Sequence, residues 1–283
     1  MFRKYFLIIF VAFLLVFNIF LFYTDYQNSH RMLTFAALDI GQGDGLFIES
    51  PSGVQMLVDG GPIHKIMAPL AKVLPLYDKH IDAIMITNPD ADHIGGFIDI
   101  LKNYDVDYII EPGTFNPSKT YATVEQLVVE KHVKKIIARR GMKLNLGAGT
   151  YLNILFPDRD VSSWTSNDGS IIARLSYGNN SVMLTGDATQ KIEGIVLSEN
   201  PARLLKSDIL KAGHHGSRTS TSPSFVKAVD PTYAVISVGK DNKYGHPHQE
   251  TLNTLNSFGI KTLRTDLLGT IIFKGDGQAF VQK

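Results

Sequence analysis

The chain has 283 residues, 44% of them hydrophobic and 24 of them glycine, enough to bury the core of one large globular domain or two small ones. Removing Arg3 and Lys4 from the 28 basic residues leaves 26 against 27 acidic ones, so no overall basic field for nucleic acid exists. The absence of cysteine excludes disulfide frameworks, thiolate zinc sites and cysteine nucleophiles, and leaves His, Asp, Glu and Asn as metal donors.

Residues Phe6 to Tyr23 form a nearly unbroken apolar segment after Arg3 and Lys4, long enough to cross a bilayer as a helix. The flanking charges predict a cytoplasmic N-terminus, with everything after residue 24 outside the cell. A cleaved signal peptide would need a small-x-small site, and the bulky run from Asn18 to Tyr23 offers none. Residues 1–24 are therefore expected to be a single-pass membrane anchor, 25–32 a linker and 33–283 the folded domain.

The domain opens with strands Leu33–Ile40 and Leu46–Glu49 around Gly41-Gln42-Gly43-Asp44-Gly45, then a strand Gln55–Val58 ending in Asp59-Gly60-Gly61. Ile63 to Tyr77 has helical apolar spacing, interrupted by Pro69 and Pro75. The short apolar run Ile81–Ile86, ended by Asn88-Pro89, reads as a buried strand feeding a loop. That loop carries Asp90, Asp92 and His93 within four residues, a mixed oxygen and nitrogen donor set suited to Mn, Zn or Fe. A helix Phe97–Tyr104, a strand Val106–Ile110, a helix around Val124, Leu127 and Val128, and a strand Lys135–Ala138 follow. Past Gly147 the pattern changes to strands Tyr151–Phe156, Ile171–Tyr177 and Ser181–Leu184, the last running into Thr185-Gly186-Asp187; the long polar loop Pro157–Ser170 holds the only Trp. The last third reads as strand Asp208–Ala212, the Gly213-His214-His215-Gly216-Ser217 segment, helix Pro223–Val229 with Ser222 as N-cap, strand Tyr233–Val238, helix Gln249–Phe258 and closing strands near Thr262–Leu263 and Thr270–Lys274. Alternating strands and helices predict an α/β architecture, in which two similar halves pack sheet against sheet.

Ligand-type residues recur with glycine at strand ends: Asp59-Gly-Gly, Asp90-x-Asp92-His93, Gly186-Asp187 and His214-His215. Carboxyl ends of strands are where α/β proteins build clefts. Leu38-Asp-Ile-Gly-Gln-Gly-Asp44, Val58-Asp-Gly-Gly61, Asp90-Ala-Asp-His-Ile-Gly-Gly96, Thr185-Gly-Asp187, His214-His-Gly-Ser217 and Asn242-Lys-Tyr-Gly-His-Pro247 together resemble the ordered motifs of the metallo-β-lactamase superfamily. Within it, they are most similar to the hydrolase domain of ComEC-type competence proteins, which take up DNA.

That resemblance, which covers Leu33 to Lys283, implies an αββα sandwich preceded by the N-terminal transmembrane helix, with one or two divalent ions, Mn or Zn, between the sheet edges. It implies Asp90, Asp92, His93, Asp187 and His214 or His215 as metal ligands. Asn88 stands where the family has His, and as a neutral oxygen donor it suits a harder ion. Asn167-Asp168-Gly169-Ser170 resembles a further polar motif, or is a plain turn. The expected chemistry is hydrolysis of a phosphodiester: the ion acidifies water, Asp92 orients it and takes its proton, and His246 donates to the leaving oxygen. Lys211, Ser217, Arg218 and Lys243, with Lys240, flank the His motifs and are the expected phosphate contacts, while His248 is expected to cap a helix. The expected partner is nucleic acid or another phosphodiester such as surface phosphorylcholine. One span cannot itself conduct DNA, so uptake requires a separate channel protein. A binding module weakened at Asn88 is the non-enzymatic alternative.

Overall fold

The computed structural model describes residues 5–6, 9–19, 31–75 and 77–283. Among the described residues fifteen strands occur: β1 (Leu33–Ala37), β2 (Gly45–Glu49), β3 (Gln55–Gly60), β4 (His80–Met85), β5 (Asp105–Glu111), β6 (Lys134–Ile137), β7 (Lys143–Asn145), β8 (Thr150–Phe156), β9 (Ile172–Tyr177), β10 (Asn180–Leu184), β11 (Ile209–Lys211), β12 (Tyr233–Ile236), β13 (Lys261–Arg264), β14 (Ile271–Gly275) and β15 (Phe280–Gln282). The first sheet runs β15-β14-β1-β2-β3-β4-β5-β6 and the second β13-β12-β11-β10-β9-β8-β7. The closing hairpin β14–β15 thus crosses back to the first sheet.

Helix α1 (residues 9–19) precedes the domain. Helices α2 (Met67–Leu70), α3 (Ala91–Ile94), α4 (Phe97–Asn103) and α5 (Lys119–Glu130) belong to the first half, and α6 (Gln190–Glu199), α7 (Pro223–Val229), α8 (Gln249–Ser257) and α9 (Thr265–Leu268) to the second. Three apolar clusters define the layers. One lies between the sheets, with Phe35, Ile48, Val58 and Met85 against Leu152, Leu175, Val182 and Val235. A second seats Ile66, Phe97, Leu101 and Val124 on the first sheet. The third seats Ile192, Phe225 and Leu255 on the second. Because both faces of each central strand are covered, strands such as β1 and β3 are buried at every position, which is why they read as continuous apolar runs. The expected αββα sandwich is the fold.

Two features position the site. Strands β3 to β6 are mutually parallel, as are β10 to β13, so each half sends several carboxyl ends to one edge. In the first sheet Thr34, Glu49 and Gln55 stand in register at one edge, while Gly45 and Gly60 are paired at the other.

Of the anticipated span Phe6–Tyr23, residues 7, 8 and 20–23 lie outside the described residues, as do 25–30 of the linker. Among the described residues no helix is long and apolar enough to cross a membrane. Ile63–Tyr77 is helical only over α2, since Pro69 and Pro75 limit the ladder.

Candidate metal centre

Loops at the carboxyl ends of both sheets build the site. Gly43 (φ +130°) lies against the Asp92 backbone so closely that a Cβ would collide with the Asp92 carbonyl, and the neighbouring Asp44 amide donates to that carbonyl at 3.3 Å. Asp92 and His93 sit on α3, directly behind β4. Asp59, the penultimate residue of β3, takes φ +59°. Its Oδ1 accepts from the Thr87 amide (2.8 Å), and its Oδ2 accepts from the Thr87 hydroxyl (2.5 Å) and stands 2.9 Å from His93 Nδ1. Beyond β11, His214 and His215 both take left-handed backbone angles (φ +49° and +54°). Such angles cost a non-glycine residue roughly 1–2 kcal/mol each and persist where the surroundings impose them, typically at functional sites. His215 Nδ1 donates to the Ser237 carbonyl at 3.1 Å, which fixes its tautomer and turns Nε2 toward the other sheet's ligands.

Asp187, just past β10, is where these elements meet. Its Oδ2 lies 3.1 Å from His93 Nε2 and 3.5 Å from His214 Nε2, and its Oδ1 lies 3.6 Å from His215 Nε2. The same His215 nitrogen is 3.4 Å from Asp92 Oδ2. Burial drives both buried rings toward the neutral form, but Asp187 and Asp59 hold His93 well above the ordinary imidazole range, and Asp187 and Asp44 push His215 up to about 9. Burial likewise opposes ionisation of Asp187, yet His93 and His215 bring it below the usual carboxylate range. An acid-lined cavity that makes its imidazoles this basic selects for positive charge at its centre, and a divalent ion competes there with protons.

The donor set fits such an ion. Nε2 of His93, Nε2 of His215 and Oδ1 of Asp187 are buried without a hydrogen-bond partner. Ligand atoms of Asp92, His93 and His215 lie within 4.8 Å of one another, as do those of Asp44, Asp187 and His215. Imidazole nitrogen and carboxylate oxygen without thiolate suit a borderline or hard divalent cation. Asp59 behind His93, and Asp44 and the Ser237 carbonyl behind His215, orient the rings by their far nitrogens. Asp92, Asp187, His214 and His215 line a cavity of about 170 Å³, together with Gln42, Asp90, Asn167, Tyr244 and His246, and His93 lies buried behind them.

Asp92, His93, Asp187, His214 and His215 therefore converge. Asp90 lines the cavity, but its Oδ1 accepts from Asn116 Nδ2 at 2.8 Å. Asn88 departs from expectation. It is fully buried, its Nδ2 donates to Asn167 Oδ1 (2.8 Å) and Ser170 Oγ (3.4 Å), and its Oδ1 accepts from the Asp90 amide (2.9 Å). Both ends of the amide hold protein partners and Asn88 does not line the cavity, so its side chain clamps two loops. Asn88→Ala is expected to lower stability by about 1–3 kcal/mol through unsatisfied buried partners, while metal content per chain stays unchanged. Denaturant unfolding with elemental analysis checks this, and a fall in metal content would restore Asn88 as a ligand.

Lys211 also requires correction as a phosphate contact: it is fully buried, with Nζ 2.8 Å from Asp44 Oδ1 and donating to the Ala212 carbonyl at 3.0 Å. Ser217 is buried outside the cavity lining, its hydroxyl 3.0 Å from that of Thr219 and accepting from the Thr219 amide at 3.3 Å. Arg218 is exposed and 3.5 Å from Glu250 Oε1, outside the cavity lining, and Lys243 is exposed with Nζ 5.1 Å from the Tyr244 ring centre. His246 lines the cavity; burial and the charges of His214 and His215 depress it to about 4, so it enters as a neutral ring with Nδ1 buried and unpaired. His248 precedes α8 as expected, and its Nδ1 accepts from the Arg218 amide. Asp168 faces Thr189 and Lys191, whereas its neighbour Asn167 reaches the cavity. Asp44, Gln42, Tyr244 and Asn116 carried no assigned role, although the first three stand in the glycine-rich motifs.

The sequence profile described as the metallo-beta-lactamase superfamily matches residues 41–240. The chain is 32% identical over 256 residues to ComE operon protein 3 of Bacillus subtilis, covering 84% of this chain and 32% of that protein. It is 32% identical over 240 residues to Recombination protein 2 of Haemophilus influenzae (83% and 28%), and 29% identical over 238 residues to Competence protein ComA of Neisseria gonorrhoeae (83% and 31%). It thus spans about a third of the length of the curated relatives it matches. Among solved structures, the metallo-beta-lactamase fold protein YhfI from Bacillus subtilis superposes with a TM-score of 0.52 at 14% identity, over 82% of this chain and 95% of that one.

Proposed function

Because the chain belongs to the metallo-beta-lactamase superfamily, we propose that it is a metal-dependent hydrolase that cleaves phosphodiester bonds of nucleic acid at a membrane, in DNA uptake. The observation that carries the hydrolase reading is the convergence of His93 Nε2, His215 Nε2 and Asp187 Oδ1, buried without hydrogen-bond partners, beside Asp92 and behind a cavity that Asp92, Asp187 and His215 line. The nucleic-acid reading is supported by relatives whose names speak of recombination and competence.

A bound Mn²⁺ or Zn²⁺ would acidify a water and polarise the phosphoryl group. The proposed ligands are Asp92, His93, Asp187 and His215, with His214 beside them. One ion is the favoured count, because Asn88 holds protein partners at both ends of its amide and does not line the cavity, and Asp90 already accepts from Asn116 through one oxygen. Asp59 and Ser237 hold the imidazoles with their lone pairs forward. Asp92 is the open carboxylate of the set, its side chain 35% exposed, which suits it to accept the proton of the attacking water. His246, neutral at physiological pH, donates a hydrogen bond to the charge that develops on the phosphate or leaving oxygen. Exposed Arg218 and Lys243 provide cations near the mouth.

Membrane attachment has its own support. Every large apolar side chain described from Ile9 to Ile19 in α1 is at least 40% exposed. A helix that is apolar all round, with nothing covering it among the described residues, suits a bilayer. The proposed arrangement is a cytoplasmic N-terminus, an outward-facing domain, and a separate channel protein for any DNA that crosses.

Full-length protein in detergent, loaded with Mn²⁺ or Zn²⁺, is expected to cleave labelled single-stranded DNA faster than small phosphodiesters such as phosphorylcholine esters, and to lose that activity with chelator. Preference for the small esters would move the substrate to cell-surface polymers. Stoichiometric metal with no cleavage of any diester would leave a binding module.

A further inference from the structure

The loop between β12 and α8 is organised by one side chain. Asn242 Oδ1 accepts from the amides of Tyr244 (3.2 Å) and His246 (3.0 Å), and its Nδ2 donates to the carbonyls of Gly239 (3.0 Å) and His246 (2.6 Å). All four hydrogen bonds close within the loop, so the residues between are pre-ordered, not draped over the surface. What this order presents is Tyr244 at the cavity mouth. Its ring lines the cavity, stacks on His246 (5.7 Å between centres, 25° between planes) and still leaves the residue 52% exposed. Lys243 Nζ lies 5.1 Å from the same ring centre. Gln42 lines the cavity too: its Oε1 accepts from the Gly239 amide at 3.2 Å, while its Nε2 is buried and has no partner.

A lone exposed tyrosine is ordinary. This one stands in a loop that four Asn242 hydrogen bonds order, one of them from its own amide, lines the cavity, and is accompanied by a cation and a buried amide donor without a partner. A flat aromatic surface beside a cation matches a planar base attached to a phosphate; a saturated polyol phosphate would use the cation and leave the ring idle. Bases inside a duplex cannot reach such a surface, so the feature favours single strands.

Building on the nucleic-acid reading above, we infer that Tyr244 is a stacking platform for the base next to the scissile phosphate of a single strand, with Lys243 meeting the adjoining phosphate and Gln42 Nε2 donating to a polar edge of the bound nucleotide. Tyr244 then sets what is cleaved and the imidazole–carboxylate cluster sets how.

The test compares metal-loaded full-length protein on a thymidine oligonucleotide and on one of equal length whose sugars carry no bases. KM is expected to be about tenfold higher for the baseless strand, with kcat little changed, as one base-aromatic stack predicts. Tyr244→Ala should abolish the difference in KM between the two strands, any effect on kcat through the lost stack with His246 falling on both strands alike. Tyr244→Phe should restore the preference, and both variants should keep the wild-type metal content and melting temperature. Equal KM values for the two strands in the wild type, or a preference that survives Tyr244→Ala, overturns the platform. Cleavage of small diesters but of neither strand overturns the nucleic-acid reading itself, and the platform with it.

Discussion

Asp187→Ala is expected to abolish metal retention and reduce hydrolysis by on the order of 10³-fold or more, the kinetic equivalent of losing several kcal/mol of charge stabilisation. The reason lies in the number of groups that this carboxylate serves. His93, His214 and His215 all approach it within 3.6 Å through Nε2, and it joins ligands from the first sheet to those from the second. Without it, three imidazoles face one another with Asp92 alone between them, and the basicity that Asp187 confers on His93 and His215 falls. Asp187→Asn keeps the shape but not the charge, so it should lose metal as well. Elemental analysis of dialysed protein and a hydrolysis assay measure the two effects. Full metal content with a rate within tenfold of wild type would mean that the ion is held elsewhere.

Lys211→Met should cost about 3–5 kcal/mol of stability, the usual result of leaving one member of a buried ion pair alone. Lys211 and Asp44 are 0% and 1% exposed at the side chain and 2.8 Å apart. Burial favours the neutral form of Asp44, yet Lys211, followed by His215, holds its carboxyl below the usual range. Removing the ammonium strands that charge in the core. The double variant Asp44→Leu with Lys211→Met removes both charges and should recover most of the loss, because apolar replacement of a buried pair is often neutral. It should also bind metal roughly 10–100-fold more weakly, since His215 loses one of its two Nδ1 neighbours. Denaturant unfolding of the two singles and the double completes the cycle; additive costs would show that the charges do not interact.

Both results bear on how far residues alone disclose this protein. The motifs that place Asp92, His93, Asp187 and the paired histidines at strand ends are local patterns, and parallel pairing brings them together as pattern reasoning expects. Lys211 is different. Beside a histidine motif a lysine looks like a phosphate contact, and only its position in β11 under a buried Asp44 turns it inward. Asn88 is misleading in the same way, because its partners Asn167 and Ser170 are about eighty residues away in the chain. Helix α6 went unread because its periodicity is broken by Gly194 and by Glu193, a fully buried acid that accepts from the amides of Thr221 and Ser222. The short strands β7 and β15 carry too few residues for any period to register. Distant polar partnerships, not the apolar pattern, are what residue order conceals.

The in-register edge formed by Thr34, Glu49 and Gln55 lies at the far end of the first sheet from Gly45 and Gly60. Five steps along β3, from Gln55 to Gly60, separate the two levels, a rise of roughly 16 Å at about 3.3 Å per residue. The chain enters β1 at the lower level, so the cleft opens at the end of the sandwich opposite its point of entry, and a segment joined on the amino side of β1 leaves the cleft uncovered.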